Sequence, residues 1–342
     1  MNHLNRQARL VPAVALFFVA PLIGEFLLGN LPITWLWALL ALAPLYGGGA
    51  LLIRETVRRF QLGWPSMVLL GLTYAIVEEA FVTQSLFNPN FLGLRLLDYG
   101  YIDSLGISIW WTVFVLGIHT IWSTAVPIAL VETLVPEIRH TPWLRPVGLL
   151  GTAIIFLLGC AVTFIIQQQD PFMASHAQLF GSGVIAESLI IIALSLGRFK
   201  LNIHPSAQSV PQARIVGVIA FLLGSAFMML AVIHNAIPVT LNVVGMVLIV
   251  VFGGALFLRW SKHSGWSVYH SLAVSSGLVL TYAWYGFVQI PSTGYTNPLI
   301  DTSGNAIFVG CAVVLLITAK NRLDENSRNN IETLSSDSTW YN

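Results

Sequence analysis

The stretch Gly48-Gly49-Ala50-Leu51-Leu52-Ile53-Arg54 returns, slightly altered, as Gly253-Gly254-Ala255-Leu256-Phe257-Leu258-Arg259. Around it the matches stay collinear. Ala8-Arg9-Leu10-Val11 pairs with Ala213-Arg214-Ile215-Val216, Asn30 with Asn235, and Pro32 with Pro238. Farther along, Gly63-Trp64 pairs with Gly265-Trp266, Leu72-Thr73-Tyr74-Ala75 with Leu280-Thr281-Tyr282-Ala283, and Asn88-Pro89 with Asn297-Pro298. The separation holds between 202 and 209 residues throughout. Apolar chains match one another by chance, but Arg, Trp, Pro and Asn at corresponding depths are punctuation that hydrophobicity does not supply, so the chain reads as an internal duplication. The copies differ where chemistry is concerned: Glu25, Glu78 and Glu79 of the first face Leu230 and a carboxylate-free stretch around Tyr285-Gly286 in the second.

Composition sets the class. Hydrophobic residues make up 56% of the 342-residue chain and charged residues only 9%, with a mean hydropathy of +0.77, whereas soluble domains carry about 25% charge. The expected fold is all-α, a polytopic membrane protein. Ten apolar stretches, near 9–29, 33–54, 65–87, 106–131, 145–168, 173–198, 213–236, 239–260, 265–289 and 303–320, reach the roughly 20 residues that a hydrocarbon core of about 30 Å asks of a helix. Lipid offers no partners to the backbone, so each span is expected to be helical. The organisation that follows is a first repeat of helices 1–4 (1–131), a hairpin of helices 5–6 (132–212), a second, parallel repeat of helices 7–10 (213–320), and a polar, Ser-rich tail (321–342) expected to be disordered.

Charge placement orients the chain. With the N-terminus in the cytoplasm, fifteen of the sixteen Lys and Arg residues lie inside and only Arg95 outside, which satisfies the positive-inside rule and puts both termini in the cytoplasm. The first segment has basic flanks but no small-residue cleavage site, and reads as an uncleaved first helix of a protein in the plasma or inner membrane. A net charge of +1 without a basic cluster excludes a nucleic-acid partner. Cys160 and Cys311 fall within spans and carry no thiol chemistry.

The candidates for chemistry are polar groups at depth, since a carboxylate near the bilayer centre costs about 2.5–3.5 kcal/mol on insertion scales and is kept only with a partner or a role. Glu78 and Glu79 fall midway along helix 3 and His119 midway along helix 4. Both levels lie roughly 12 Å below the outer interface at a rise of about 1.5 Å per residue, so the three residues are expected to form one site. Gly71, Ala75, Glu79 and Thr83 recur every four residues, a small-residue stripe that turns Glu79 toward protein. On helix 4, Ser123 shares a face with His119, and Pro127 cannot donate to the Ser123 carbonyl. Tyr74 shares the face of Glu78 as a supporting hydroxyl. Glu187, mid-span on helix 6, is a further supporting candidate, while Glu25 and the interfacial His176, His234 and His270 stay undecided. The plainer reading is a polar staple between helices 3 and 4. The long outer loop from Asn88 to about Leu105 mixes leucines and tyrosines with Asp98 and Asp103 and is expected to lie on the interface, either as a lid or as a passive turn.

At Ile76-Val77-Glu78-Glu79-Ala80-Phe81-Val82-Thr83, followed by a histidine on the next helix, the sequence resembles the CPBP family of intramembrane proteases, which pairs a Glu-Glu-x-x-x-Arg motif with histidines on following helices. The resemblance implies hydrolysis of a membrane peptide by a glutamate-activated or metal-bound water, with Glu79 and His119 as ligands of a divalent metal such as zinc. Three departures stand out: Thr83 replaces the arginine, Val115 replaces the phenylalanine four before the histidine, and no histidine is followed four residues later by Asn or Asp. A proton-coupled or small-solute transporter is the competing expectation, resting on the repeats and the mid-membrane acids. A non-catalytic membrane scaffold is the third. In each case the lipid bilayer is a partner, with a membrane peptide or a small solute as the second.

Overall fold

The computed structural model describes residues 6–167, 172–196, 210–294 and 297–338. Ten long helices follow one another. Helix α1 (Arg6–Pro21) runs on into a π-helical turn (Leu22–Leu27), and α2 (Leu39–Arg59) is preceded by a 3-10 segment (Ile33–Ala38). Helix α3 (Trp64–Ile76) again ends in a π turn (Val77–Val82), while α4 is an α-π-α composite of Ile109–Ile118, His119–Ala125 and Val126–Leu134. The remainder are α5 (Pro146–Gln167), α6 (His176–Leu196), α7 (Ala213–Val232), α8 (Val239–Trp260), α9 (Val268–Tyr285) and α10 (Pro298–Ser338). Apart from a two-residue hairpin pairing β1 (Tyr101–Ile102) with β2 (Ile107–Ser108), the described residues hold no sheet.

Nine of these helices are long and apolar enough to cross a membrane. The remaining span, ninth in the sequence reading, is α9, which is shorter and carries His270, Ser271, Ser275, Ser276, Thr281 and Tyr282. Its polar groups are tolerable because α7, α4 and α10 wrap it, and Ser275 and Thr281 return their hydroxyls to backbone carbonyls one turn earlier. The polar tail also departs from expectation. Instead of disorder, α10 continues as helix to Ser338, tied down by Lys320 Nζ on Asp324 at 2.8 Å and by the Tyr269 hydroxyl donating to Asp324 at 2.9 Å. Residues 339–342 lie outside the described part.

The repeated sequences have acquired different neighbours. In the first half α1 packs on α2 and α4, whereas in the second the extensive contact is α7 on α9. Small residues explain the change. A Cβ on Gly277 would stand 2.3 Å from the Gly217 carbonyl, so α7 and α9 touch backbone to backbone; the matching residues of the first copy are Leu69 and Pro12, which forbid that approach. Gly47 makes the equivalent close contact in the first half: a Cβ there would meet the Phe17 carbonyl at 2.0 Å, the same carbonyl that Pro21 cannot bond. The two halves are locked together by Trp122 of α4, which donates Nε1–H to the Leu278 carbonyl at 2.7 Å and stacks on Tyr282 with centroids 4.8 Å apart.

Gly49 and its repeat partner Gly254 provide a matched test. A Cβ on Gly49 would sit 2.4 Å from the Tyr74 ring, whereas nothing lies within 4 Å of one on Gly254. Gly49→Ala is therefore expected to lose about 1–3 kcal/mol to overpacking, and Gly254→Ala to stay within about 0.5 kcal/mol of the parent, as read by thermal unfolding in detergent. Equal effects would contradict the divergence of the two packing arrangements.

Candidate functional site

Three helices interrupt their α geometry, and each interruption carries candidate residues: Glu25 on the π turn of α1, Glu78 and Glu79 on that of α3, His119 and Ser123 on that of α4. A π turn holds one residue more than an α turn and occurs often at functional sites, because it re-aims side chains without disturbing the rest of the helix. Local sequence favours the interruptions. Pro21 precedes the first and Pro127 follows the third, each removing a backbone donor. The second closes on Thr83, whose amide and hydroxyl both donate to the Glu78 carbonyl, at 2.8 and 3.2 Å. Among the described residues α7 and α9, the counterparts of α1 and α3, carry no such turn.

The turns bring Glu78, Glu79 and His119 into one buried cluster. His119 lies between the two carboxylates, with Nδ1 3.1 Å from Glu78 Oε2 and Nε2 3.0 Å from Glu79 Oε1. Ser123 Oγ is 3.0 Å from Nδ1. All four residues are buried. The carboxylates nevertheless differ. Glu79 Oε2 accepts from the Thr83 hydroxyl at 3.1 Å and from Ser85, which in turn accepts from Trp111 Nε1 at 3.0 Å. Glu78 Oε2 meets the ring nitrogen of His119 but none of the hydroxyl donors that hold Glu79. Glu79 is thus a held group and Glu78 an open one, the reverse of the emphasis that the small-residue stripe suggests. One oxygen or nitrogen from each of the three residues can be chosen so that all lie within 4.8 Å of one another, close enough for a metal ion.

Around this cluster the structure adds residues that the sequence left open or missed. Glu25 joins it: Tyr46 donates its hydroxyl to Glu25 Oε1, Asn30 Nδ2 donates to Oε2 at 2.6 Å, and the Tyr46 ring lies 5.8 Å from the His119 ring. The neighbouring Gly24 packs against Ser123 and Tyr46. A signal for Tyr46 existed, since its repeat counterpart is Val251. Ser85 and Trp111 had none, because their role depends on how the chain turns after α3. Glu187 does not belong. It is exposed on α6, while its neighbour Ala186 faces inward. Of the histidines, His234 stacks on Trp110 at 4.4 Å, away from the cluster. The loop after Asn88 is pinned as well: Tyr99 donates to the Ile237 carbonyl at 2.8 Å, and Gln178 to that of Leu105 at 3.1 Å.

A second buried cluster sits at the Arg54 end of α2, and sequence reasoning saw only its cations. Arg54 Nε and Arg58 Nε both donate to Glu132 Oε1, at 3.1 and 2.7 Å, and Arg54 Nη1 donates to Glu55 at 2.6 Å. Arg54 Nη2 binds the Arg139 and Thr141 carbonyls, and its guanidinium lies 3.3 Å from the centre of the Trp143 ring. Glu55 accepts from the Trp143 and Leu144 amides at 2.9 and 3.0 Å. This network fastens the loop between α4 and α5 beneath α2. Eight residues of α2 separate Tyr46 from Arg54, about 12 Å of rise, and the intervening layer is apolar, with Ala50, Ile53, Met67, Leu70, Ile128 and Val131 buried in one core. The groove between α3, α4 and α7–α9, about 510 Å³ and lined by residues such as Leu72, Phe227 and Leu278, includes none of the ionisable residues of either cluster.

Apolar spans around a buried Glu/His cluster define an integral membrane protein. The chain belongs to an uncharacterized membrane protein family, which it matches over residues 14–325. No curated protein and no solved structure matches it.

Proposed function

We propose that the protein is an intramembrane hydrolase in which Glu78 activates a water for attack on a peptide bond of a membrane substrate. The observation that carries this reading is the asymmetry of the cluster. A buried carboxylate, Glu78, whose Oε2 meets only the imidazole ring, pairs with a histidine whose far nitrogen faces a second, firmly held carboxylate, an arrangement suited to general base catalysis. Glu78 takes the proton as the water oxygen bonds to the carbonyl carbon. The proton then passes to the leaving nitrogen, directly or through His119, as the carbon–nitrogen bond breaks. Glu79 holds the ring, and Thr83 and Ser85 hold Glu79. The resemblance of the Glu78–Thr83 segment to the CPBP proteases points the same way.

A proton-coupled transporter needs a polar path to both faces. The apolar layer between the cluster and Arg54 speaks against one, and the polar chain through Ser85 and Trp111 leads to one side only. In the orientation favoured by the basic residues, that side is the outer one and both termini are cytoplasmic.

Mapping of protein termini in membranes tests the proposal. Cells lacking the protein are complemented with the parent or with Glu78→Gln at matched abundance, and new N-termini are identified by mass spectrometry. A set of termini within or beside apolar segments, present with the parent and absent with Glu78→Gln, is expected. Identical termini in the two membranes would overturn the hydrolase.

A further inference from the structure

We infer that the Arg54 end of the bundle holds the phosphate of an anionic phospholipid, with Arg59 and Arg139 as the cations that face it and Phe60, Val147 and Leu150 alongside its acyl chains. The inference is independent of the chemistry proposed for the Glu/His cluster.

Three observations carry it. The first is a surplus of positive charge. Glu55 and Glu132 are committed to Arg54, Arg58 and Arg59, and Glu137, in the loop between α4 and α5, is exposed and outside those pairs. Arg139 gives its carbonyl to Arg54, but among the described residues its guanidinium has no ion pair. His140 registers the surplus: desolvation by the loop, then the charges of Arg58 and Arg139, hold its imidazole below the ordinary value, against the pull of Glu132. Arg9 adds to it. Arg9 lies on the α1 face of Ala13, Leu16 and Ala20, which packs into the α2 core. Phe17 meets Gly47, so in antiparallel helices Arg9, eight residues before Phe17, stands level with Glu55, eight after Gly47.

The second observation is a pair of unused donors. Nε of Arg9 and Nε of Arg59 are buried without hydrogen-bond partners, a costly condition that an anionic oxygen relieves. Arg59 engages only Nη2, on the Leu144 carbonyl and 3.6 Å from Glu55. The third is the setting. The Arg59–Leu144 contact joins the end of α2 to the start of α5, and exposed apolar side chains flank that junction, Phe60 on one side and Val147 and Leu150 on the other. Cations beside bare apolar surface match a headgroup and its chains; a free phosphate uses the cations alone. In the orientation favoured by the basic residues, the lipid belongs to the cytoplasmic leaflet, whose anionic headgroups attract basic side chains at the membrane surface.

The test adds phosphatidylglycerol in steps to the full-length, delipidated protein in detergent and counts bound lipid by native mass spectrometry. One retained phosphatidylglycerol per chain is expected, with phosphatidylcholine, whose headgroup is neutral overall, bound at least about ten-fold more weakly. Arg59→Gln and Arg139→Gln are each expected to weaken phosphatidylglycerol about five-fold. Arg259→Gln, at the exposed repeat counterpart of Arg54, is expected to change nothing. Arg59 also bonds Leu144, so a loss of folding in Arg59→Gln leaves the decision to Arg139→Gln, whose side chain carries no ion pair. Equal binding of the two lipids, parental binding in Arg139→Gln, or an equal loss in Arg259→Gln overturns the site, the last by showing diffuse attraction to basic residues. Inorganic phosphate that displaces phosphatidylglycerol at equal concentration overturns the lipid assignment by showing a free-phosphate site.

Discussion

Glu132→Ala is expected to cost about 3–5 kcal/mol and to remove most of the folded protein from the membrane, because breaking a buried ion pair from one side leaves uncompensated charge. Here the exposure of the loss is doubled: Arg54 and Arg58 both donate to Glu132 Oε1, and Arg54 is fully buried. Arg54 would keep Glu55 and two carbonyls, but Arg58 would lose its one carboxylate partner among the described contacts. The loop from Val135 to Arg145 would then lose its anchor beneath α2. Thermal unfolding in detergent and the yield of monodisperse protein measure the effect. A midpoint unchanged from the parent would mean that the network is dispensable.

The second large effect is on activity. Glu79→Gln keeps the shape of the side chain and can still accept from Thr83 and Ser85, so unfolding should change little. It removes the negative charge facing His119 Nε2, and with it the preference for a ring oriented and protonated for catalysis. A fall of about 10²–10⁴ in cleavage is expected, the range in which positioned acid–base groups contribute. Ser85→Ala, which leaves Thr83 in place, should cost much less. A polar staple predicts the opposite pattern, with stability falling by about 3–5 kcal/mol for Glu79→Gln and cleavage per folded molecule constant. Measuring both quantities on the same preparations separates the two.

The sequence revealed the membrane class, the spans and the meeting of Glu78, Glu79 and His119, because apolar length and matched depth are one-dimensional quantities. It could not reveal which carboxylate stays open. A regular helix places Glu79 on the small-residue stripe, but the π turn over Val77–Val82 shifts the register, and only the turn back toward Ser85 shows that Glu79 is the one held. Glu25 and Tyr46 were invisible as a pair, since their partnership crosses from α1 to α2. Glu187 misled for a related reason: depth in the membrane says nothing about which way a side chain points. The polar end of α10 was misjudged because composition alone does not register Tyr269 of another helix bonding Asp324.

The three wide turns have a consequence for how such a protein can gain or lose its chemistry. Each is the product of a single extra residue, absorbed inside a span whose ends stay where the bilayer and the loops require them. Deleting one residue from Val77–Val82 would relax the segment to ordinary α geometry with its flanks still in register, re-aim the residues of the turn, and part Glu78 and Glu79 from His119 while leaving a helix that still crosses. Insertion at the corresponding place in α9 would be the reverse experiment. In this architecture activity and insertion into the bilayer are written in separable parts of the same helix, so a gene of this kind can drift between an active and a silent form one codon at a time without abandoning its fold.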